Sequence, residues 1–166
     1  MKKLVPTAEM TLGPFFPREF AANANDLTRL EGKAVPGEPI EITGCVTQLD
    51  GKPLDNLVLE IWQADAQGRY DNPDFLGWGR AATDANGVYS FRTIKPGASE
   101  GRAPSIRFLL LYSGLMRQLQ TVMFFDKADL PEVKHPERLL ARQEAPNRYR
   151  FDIRLRGEGE TPFFED

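Results

Sequence analysis

Side chains able to do acid–base or metal chemistry are sparse in this 166-residue chain. It has one histidine, His135, in Val133-Lys134-His135-Pro136-Glu137, and one cysteine, Cys45. An imidazole that serves as general base or metal ligand needs a second imidazole, or a carboxylate and nucleophile in set geometry. A single copy of this chain cannot build a two-histidine metal site, so His135 reads as an exposed loop residue. Cys45 excludes an intrachain disulfide and a cysteine-rich zinc site. Its place in an alternating apolar run predicts a buried thiol and not a nucleophile. Phosphate-binding glycine loops, a Gly-x-Ser-x-Gly elbow and a His-Glu-x-x-His motif are all missing. Carboxylates are plentiful but unpaired in any recognisable pattern, and Gly157-Glu158-Gly159-Glu160-Thr161 reads as a solvated tail.

The elements that must position these residues are short. Thirteen prolines, fourteen glycines and their turn clusters break the chain into strand-length pieces. Tyr149, Phe151, Ile153 and Leu155 alternate with Arg150, Asp152, Arg154 and Arg156, a period of two that predicts a half-buried strand. Ile40, Ile42, Gly44 and Val46 alternate in the same way, and Leu57–Trp62 follows after Asp50-Gly51-Lys52-Pro53, which predicts a hairpin or its close relative. Further strands are predicted at Gly87–Ile94, at Ser105–Tyr112 (apolar enough for burial on both faces) and at Leu119–Phe125. Short helices are predicted at Asp26–Leu30 and Pro136–Gln143. Six or more short strands favour an all-β sandwich or barrel. The reading is one domain over residues 1–166, with an extended N-terminal arm and connecting segment at 1–39 and a core at 40–166.

Composition narrows the function classes. Lys+Arg number 21 against 24 Asp+Glu, a net charge of -3, so phosphate neutralisation and hence nucleic-acid binding are not expected. No run approaches the ~18 apolar residues of a membrane span, and Met1–Pro6 lacks the apolar stretch of a signal peptide, so a cytoplasmic location is expected.

Three stretches exceed what a generic sandwich requires. Thr11-Leu12-Gly13-Pro14-Phe15-Phe16-Pro17 places Gly-Pro between apolar residues before any strand begins. Glu60-Ile61-Trp62-Gln63-Ala64-Asp65 leads to Tyr70. Gly79-Arg80 and Thr83-Asp84 lead to Thr93-Ile94-Lys95-Pro96-Gly97. With the ending Tyr149–Ile153, Gly157–Thr161 and Phe163-Phe164, this ordered set resembles the intradiol ring-cleavage dioxygenases from Thr11 to the C-terminus. Within that family it is most similar to the alpha-type chains of the protocatechuate-cleaving enzymes.

The resemblance implies a mixed β-sandwich and a reaction that opens a catechol ring between its hydroxyl-bearing carbons with dioxygen. It also implies that a ferric ion, held by two tyrosines and two histidines, belongs to an iron-bearing beta-type partner chain. Tyr70 matches the family's first iron tyrosine. The loop that carries the second is here Ala98-Ser99-Glu100-Gly101, without tyrosine. Ser105 and Arg107 fall on the two histidines, and Arg102 on an arginine beside the substrate. Ser113 stands where alpha-type chains carry an arginine for the substrate carboxylate, so the particular catechol is left open. A hydroxyl and a permanent cation in place of two imidazoles remove donors and repel a metal ion. The resemblance therefore implies no cofactor and no catalytic residue in this chain. Thr11, Leu12, Gly13 and Pro14 would wall the partner's pocket around a catechol-type substrate. The alternatives are an iron-free homologue acting alone as a homo-oligomeric binding or scaffolding protein, and a self-sufficient dioxygenase with a rearranged site.

Overall fold

The computed structural model describes residues 23–115 and 118–164. The strands in chain order are β1 (Arg29–Leu30), β2 (Lys33–Ala34), β3 (Pro39–Thr47), β4 (Val58–Gln63), β5 (Trp78–Ala82) and β6 (Val88–Ile94). They continue with β7 (Ser105–Leu111), β8 (Leu119–Phe124), β9 (Arg142–Ala145), β10 (Arg148–Arg150) and β11 (Ile153–Arg154). Single 3-10 turns lie at Lys127–Asp129 and Pro136–Leu139. One sheet is antiparallel in the order β5-β4-β7-β8. The other is mixed: β3 pairs antiparallel with β6 and parallel with β10 and β11, and β9 lies outside β10. The architecture is the predicted all-β mixed sandwich.

Alternation fills the space between the sheets. Ile40, Ile42 and Val46 of β3, Tyr89 and Phe91 of β6, Ile61 of β4, and Ile106, Phe108 and Leu110 of β7 are all buried in one cluster. Phe108 meets Phe151 at 5.3 Å between ring centroids and Phe91 edge-on at 6.2 Å. Such pairs add roughly 1 kcal/mol each beyond their buried area. Burial holds the Tyr89 hydroxyl well above its ordinary pKa, so it stays neutral and donates to the Phe151 carbonyl. At Gly44 a Cβ would stand 1.9 Å from that same carbonyl oxygen, so only glycine lets the C-terminal strands close onto β3.

Residues 24–27 tie the two sheets together. The Ala24 carbonyl accepts from Arg80 N–H on the free edge of β5, at 2.9 Å. Arg92 of β6 donates to Asn25 and accepts from Leu27 at 2.8 and 2.7 Å, and its guanidinium pairs with Asp26 at 2.9 Å. A short segment thus covers the edge of each sheet, the exposure that sheet proteins must manage. Gly79 makes room for it, since a Cβ there would reach 2.5 Å from the Leu27 side chain.

This clasp replaces the helix predicted at Asp26–Leu30. The Asp26 carboxylate bonds Thr28 N–H locally, Leu27 N–H is taken by β6, and Arg29–Leu30 pairs with β2 as a short strand instead of continuing a helical ladder. The predicted β3–β4 hairpin is also replaced. The turn at Asp50–Lys52 forms, and Thr47 bridges Pro53, but Pro53 cannot donate to a ladder, and the chain crosses to the other sheet before β4. The strand predicted from Tyr149 divides into β10 and β11 with its inward facing intact. β7 is buried on one face only, and Pro136–Gln143 forms a 3-10 turn followed by the start of β9. Cys45 is half-buried on the outer side of β3, not in the core, with its thiol directed to the Asn86 carbonyl. Burial, then the Asp152 charge, raises that thiol's pKa. Residues 157–161 are not a free tail: Thr161 is buried and exchanges bonds with Arg154, and the Glu160 carbonyl accepts from Arg138.

Candidate functional site

The site is built on the outward face of the four-stranded sheet. In β4 Trp62 points out between buried Ile61 and Gln63, and in β7 Arg107 points out between buried Ile106 and Phe108. Register makes Trp62 and Arg107 direct partners, with Trp78 of β5 on the other side of Trp62. Directly opposed residues place their Cβ atoms roughly 5 Å apart on one face. Ser105 lies two residues before Arg107, on the same face, opposite Phe124. One row further along the sheet, Arg80 pairs with Glu60 and rests over the Trp78 ring at 5.2 Å. Arg107 has no ion-pair partner among the described residues.

Tyr70 reaches the same face from the loop after β4. Its ring stacks on Trp62 with 6.5 Å between centroids and planes 15° apart, and both rings stay more than 40% exposed. The loop is held by Asp65, whose carboxylate is 1% exposed. One of its oxygens accepts from the N–H groups of Gln67 and Arg69 at 2.8 and 2.9 Å. The other accepts from the Arg69 guanidinium at 2.9 Å and the Asn72 amide at 2.7 Å. Burial alone would raise the Asp65 pKa, but the Arg69 and Asn72 bonds outweigh it and hold the carboxyl below its ordinary value. The loop also presses against residues 97–99. A Cβ on Gly68 would stand 1.8 Å from the Ala98 carbonyl oxygen, and one on Gly97 2.5 Å from that of Ala66. Buried Gln63 donates to the Ile94 carbonyl and accepts from the Thr93 hydroxyl, which joins the root of the loop to β6 in the opposite sheet.

The structure therefore brings Tyr70, Ser105 and Arg107 to one face, with Trp62 between the loop and β7. Arg102 is exposed and closes a tight turn in which Ser99 and Arg102 exchange backbone bonds of 3.0 and 2.7 Å. Glu100 and Gly101 both take positive φ there, so the segment that would have to present a second tyrosine is a minimal turn. Thr11, Leu12, Gly13 and Pro14 lie outside the described residues. His135 is an exposed loop residue in a left-handed conformation beside Glu137. Ser113 is exposed in the turn after β7.

This donor set does not fit a ferric ion. The phenol of Tyr70 sits on an exposed ring committed to Trp62, Ser105 offers a hydroxyl, and Arg107 brings a fixed positive charge to the same sheet row. Among the described residues no three His, Cys, Asp or Glu side chains cluster as metal ligands. Nor is any described helix long and apolar enough to cross a membrane. Asp65, Gln63, Gly68 and Gly97, which position the loop, were not singled out as site residues from the sequence. The local signal was an aspartate four residues before an arginine with a glycine between them.

With that geometry in hand, relatives are informative. The family model described as dioxygenase matches residues 11–118. The alpha chain of protocatechuate 3,4-dioxygenase from Pseudomonas putida is 35% identical over 162 positions, covering 82% of this chain and 81% of that one. The beta chain of the same enzyme from Burkholderia cepacia is 37% identical over 160 positions, covering 76% and 68%. Among solved structures, the dioxygenase domain of a carbohydrate-binding fusion protein from Streptomyces sp. SirexAA-E superposes with a TM-score of 0.65 at 30% identity. That match covers 92% of this chain and 99% of the domain.

Proposed function

The chain belongs to the intradiol dioxygenase family, and from that footing we propose that it is the alpha-type subunit of a heteromeric ring-cleaving dioxygenase. In this reading it holds no iron. A beta-type partner chain carries Fe(III) and performs the cleavage of a catechol-type substrate between its hydroxyl-bearing carbons. The observation that carries the reading is Arg107, a permanent cation in cross-strand register with Trp62, on the face where Tyr70 and Ser105 also lie. Likeness to both alpha and beta chains over most of the sequence supports a place in such an enzyme, and the loss of donors at Ser105 and Arg107 favours the alpha-type role.

Thr11, Leu12, Gly13 and Pro14 are the residues assigned to the partner's pocket. Gly13 has no Cβ and Pro14 has a fixed φ, so the backbone there suits close approach to a ligand without acid–base work. Arg102 is assigned no catalytic role. The test is the complex reconstituted with the iron-bearing chain. Gly13→Val should raise KM or lower kcat while assembly and iron content stay as in wild type, because only the pocket wall changes. Wild-type kinetics from that complex would remove the arm from the active site.

A further inference from the structure

Two features that the subunit reading leaves unused, His135 and the run at 157–161, line one open cavity of about 720 Å³. One wall comes from residues 133–138 and the other from residues 157–164. The fold fixes both walls. Leu139, fully buried, anchors the 3-10 turn behind the first. Thr121 donates to the Pro162 carbonyl at 2.9 Å, and Phe164 N–H donates to the Gln120 carbonyl at 2.9 Å, so the second is tied to β8. Arg138 spans the walls by donating to the Glu160 carbonyl at 3.0 Å. Cavities of several hundred Å³ fall in the size range of small-molecule sites.

Charge divides between the walls. The first supplies Lys134 and Arg138, and the second supplies Glu158 and Glu160. Pro162, Phe163 and Phe164 give the cavity an apolar end. The opposed charges do not satisfy one another. Lys134 and Glu158 have no hydrogen-bond or ion-pair partner among the described residues. The Glu160 carboxylate accepts from Gly157 N–H at 3.3 Å, and the carboxylate beside Arg138 is Glu137 at 3.8 Å, outside the lining. A ligand with one charge would leave one wall unmatched, and an uncharged ligand would leave both. We propose that this cavity binds a free amino acid with a large apolar side chain. Its carboxylate meets Lys134 and Arg138, its ammonium meets Glu158 and Glu160, and its side chain packs at the Phe163 and Phe164 end. A peptide terminus carries one of the two charges, so the free zwitterion is favoured over it. Neither iron nor a partner chain enters, so the proposal stands apart from the subunit reading.

The test is calorimetric titration of the full chain with L-phenylalanine. The controls are 3-phenylpropionate and phenethylamine, which carry the same ring with the carboxylate alone or the ammonium alone. L-Phenylalanine should bind with a Kd of about 0.1–5 mM, as suits a ligand of about twelve heavy atoms, and each control about five-fold or more weakly. Lys134→Gln and Glu158→Gln, both at exposed and unpartnered positions, should each weaken L-phenylalanine about five-fold and leave urea melts unchanged. No saturation up to about 20 mM L-phenylalanine, a control that binds as tightly as the amino acid, or wild-type affinity in either variant would overturn the proposal.

Discussion

Replacing Asp65 by Asn removes the charge that holds the Tyr70 loop while leaving its shape. The asparagine carbonyl oxygen can keep the Gln67 and Arg69 N–H bonds. The second oxygen becomes an amide that faces the Arg69 guanidinium and the Asn72 amide, both donors. Hydrogen bonds to a charged group contribute about 1.5–3 kcal/mol each. The Arg69 side chain is 56% exposed, so its share is screened to about 1 kcal/mol or less. The Asn72 bond, to a buried oxygen, contributes about 1.5 kcal/mol or more. Together the loss at pH 7 is roughly 2–3 kcal/mol, or about 5–10 °C in Tm for a domain of this size. Because the Asp65 pKa is lowered on folding, its contribution is full above the ordinary value near 3.9 and fades as pH falls through the folded value. Urea melts of wild type and Asp65→Asn should therefore diverge at pH 7 and draw together toward pH 3. Trp62 fluorescence, read in a Trp78→Phe background, should shift as the Tyr70 stack loosens. A stability difference equal at both pH values, or below about 0.5 kcal/mol at pH 7, would refute the reasoning.

Gly68→Ala should cost about 3 kcal/mol or more, because the new Cβ meets the Ala98 carbonyl at 1.8 Å on a positive-φ backbone. Gly32→Ala, also at positive φ but with open space around it, should cost only about 1–2 kcal/mol, and equal losses in urea melts would dismiss the close contact. Phe151→Ala should cost about 3–5 kcal/mol against under about 0.5 for exposed Arg156→Lys; matching denaturation curves would reject the inward facing of the C-terminal strands. Ser105→His combined with Arg107→His should still bind no iron, since the Ser99–Arg102 turn supplies no second phenolate; a ferric–tyrosinate absorption band in the double variant would contradict this.

Much of the sandwich was legible because it is written in local alternation. Ile40, Ile42 and Val46, or Tyr149, Phe151 and Ile153, announce their buried face without reference to any other strand. What pairs with what was not legible. The turn at Asp50–Lys52 is a local signal, but the transfer of β4 to the second sheet follows from pairing with β5 and β7, which lie later in the chain. Asp26–Leu30 was misread for a related reason: Leu27 N–H is taken by Arg92 of β6, and Arg29–Leu30 pairs with β2 in place of a helical ladder. At the site, the chemistry of Tyr70, Ser105 and Arg107 could be read from residue type within the family pattern. The link between them could not, because Trp62 meets Tyr70 through a folded loop and Arg107 through strand register. Asp65 looked like one acid among twenty-four until its burial and four donors were placed.

The central claim is that this chain serves an intradiol dioxygenase without holding its metal. Iron should be measured by elemental analysis in the chain purified alone and in its complex with the iron-bearing chain, each scaled to protein by amino-acid analysis. The account predicts colourless protein without bound iron in the first preparation. In the complex it predicts iron that matches the number of partner chains and is unchanged by Tyr70→Phe in this subunit. About one tightly held ferric ion per copy of the isolated chain, with a burgundy tyrosinate colour that Tyr70→Phe abolishes, would contradict it.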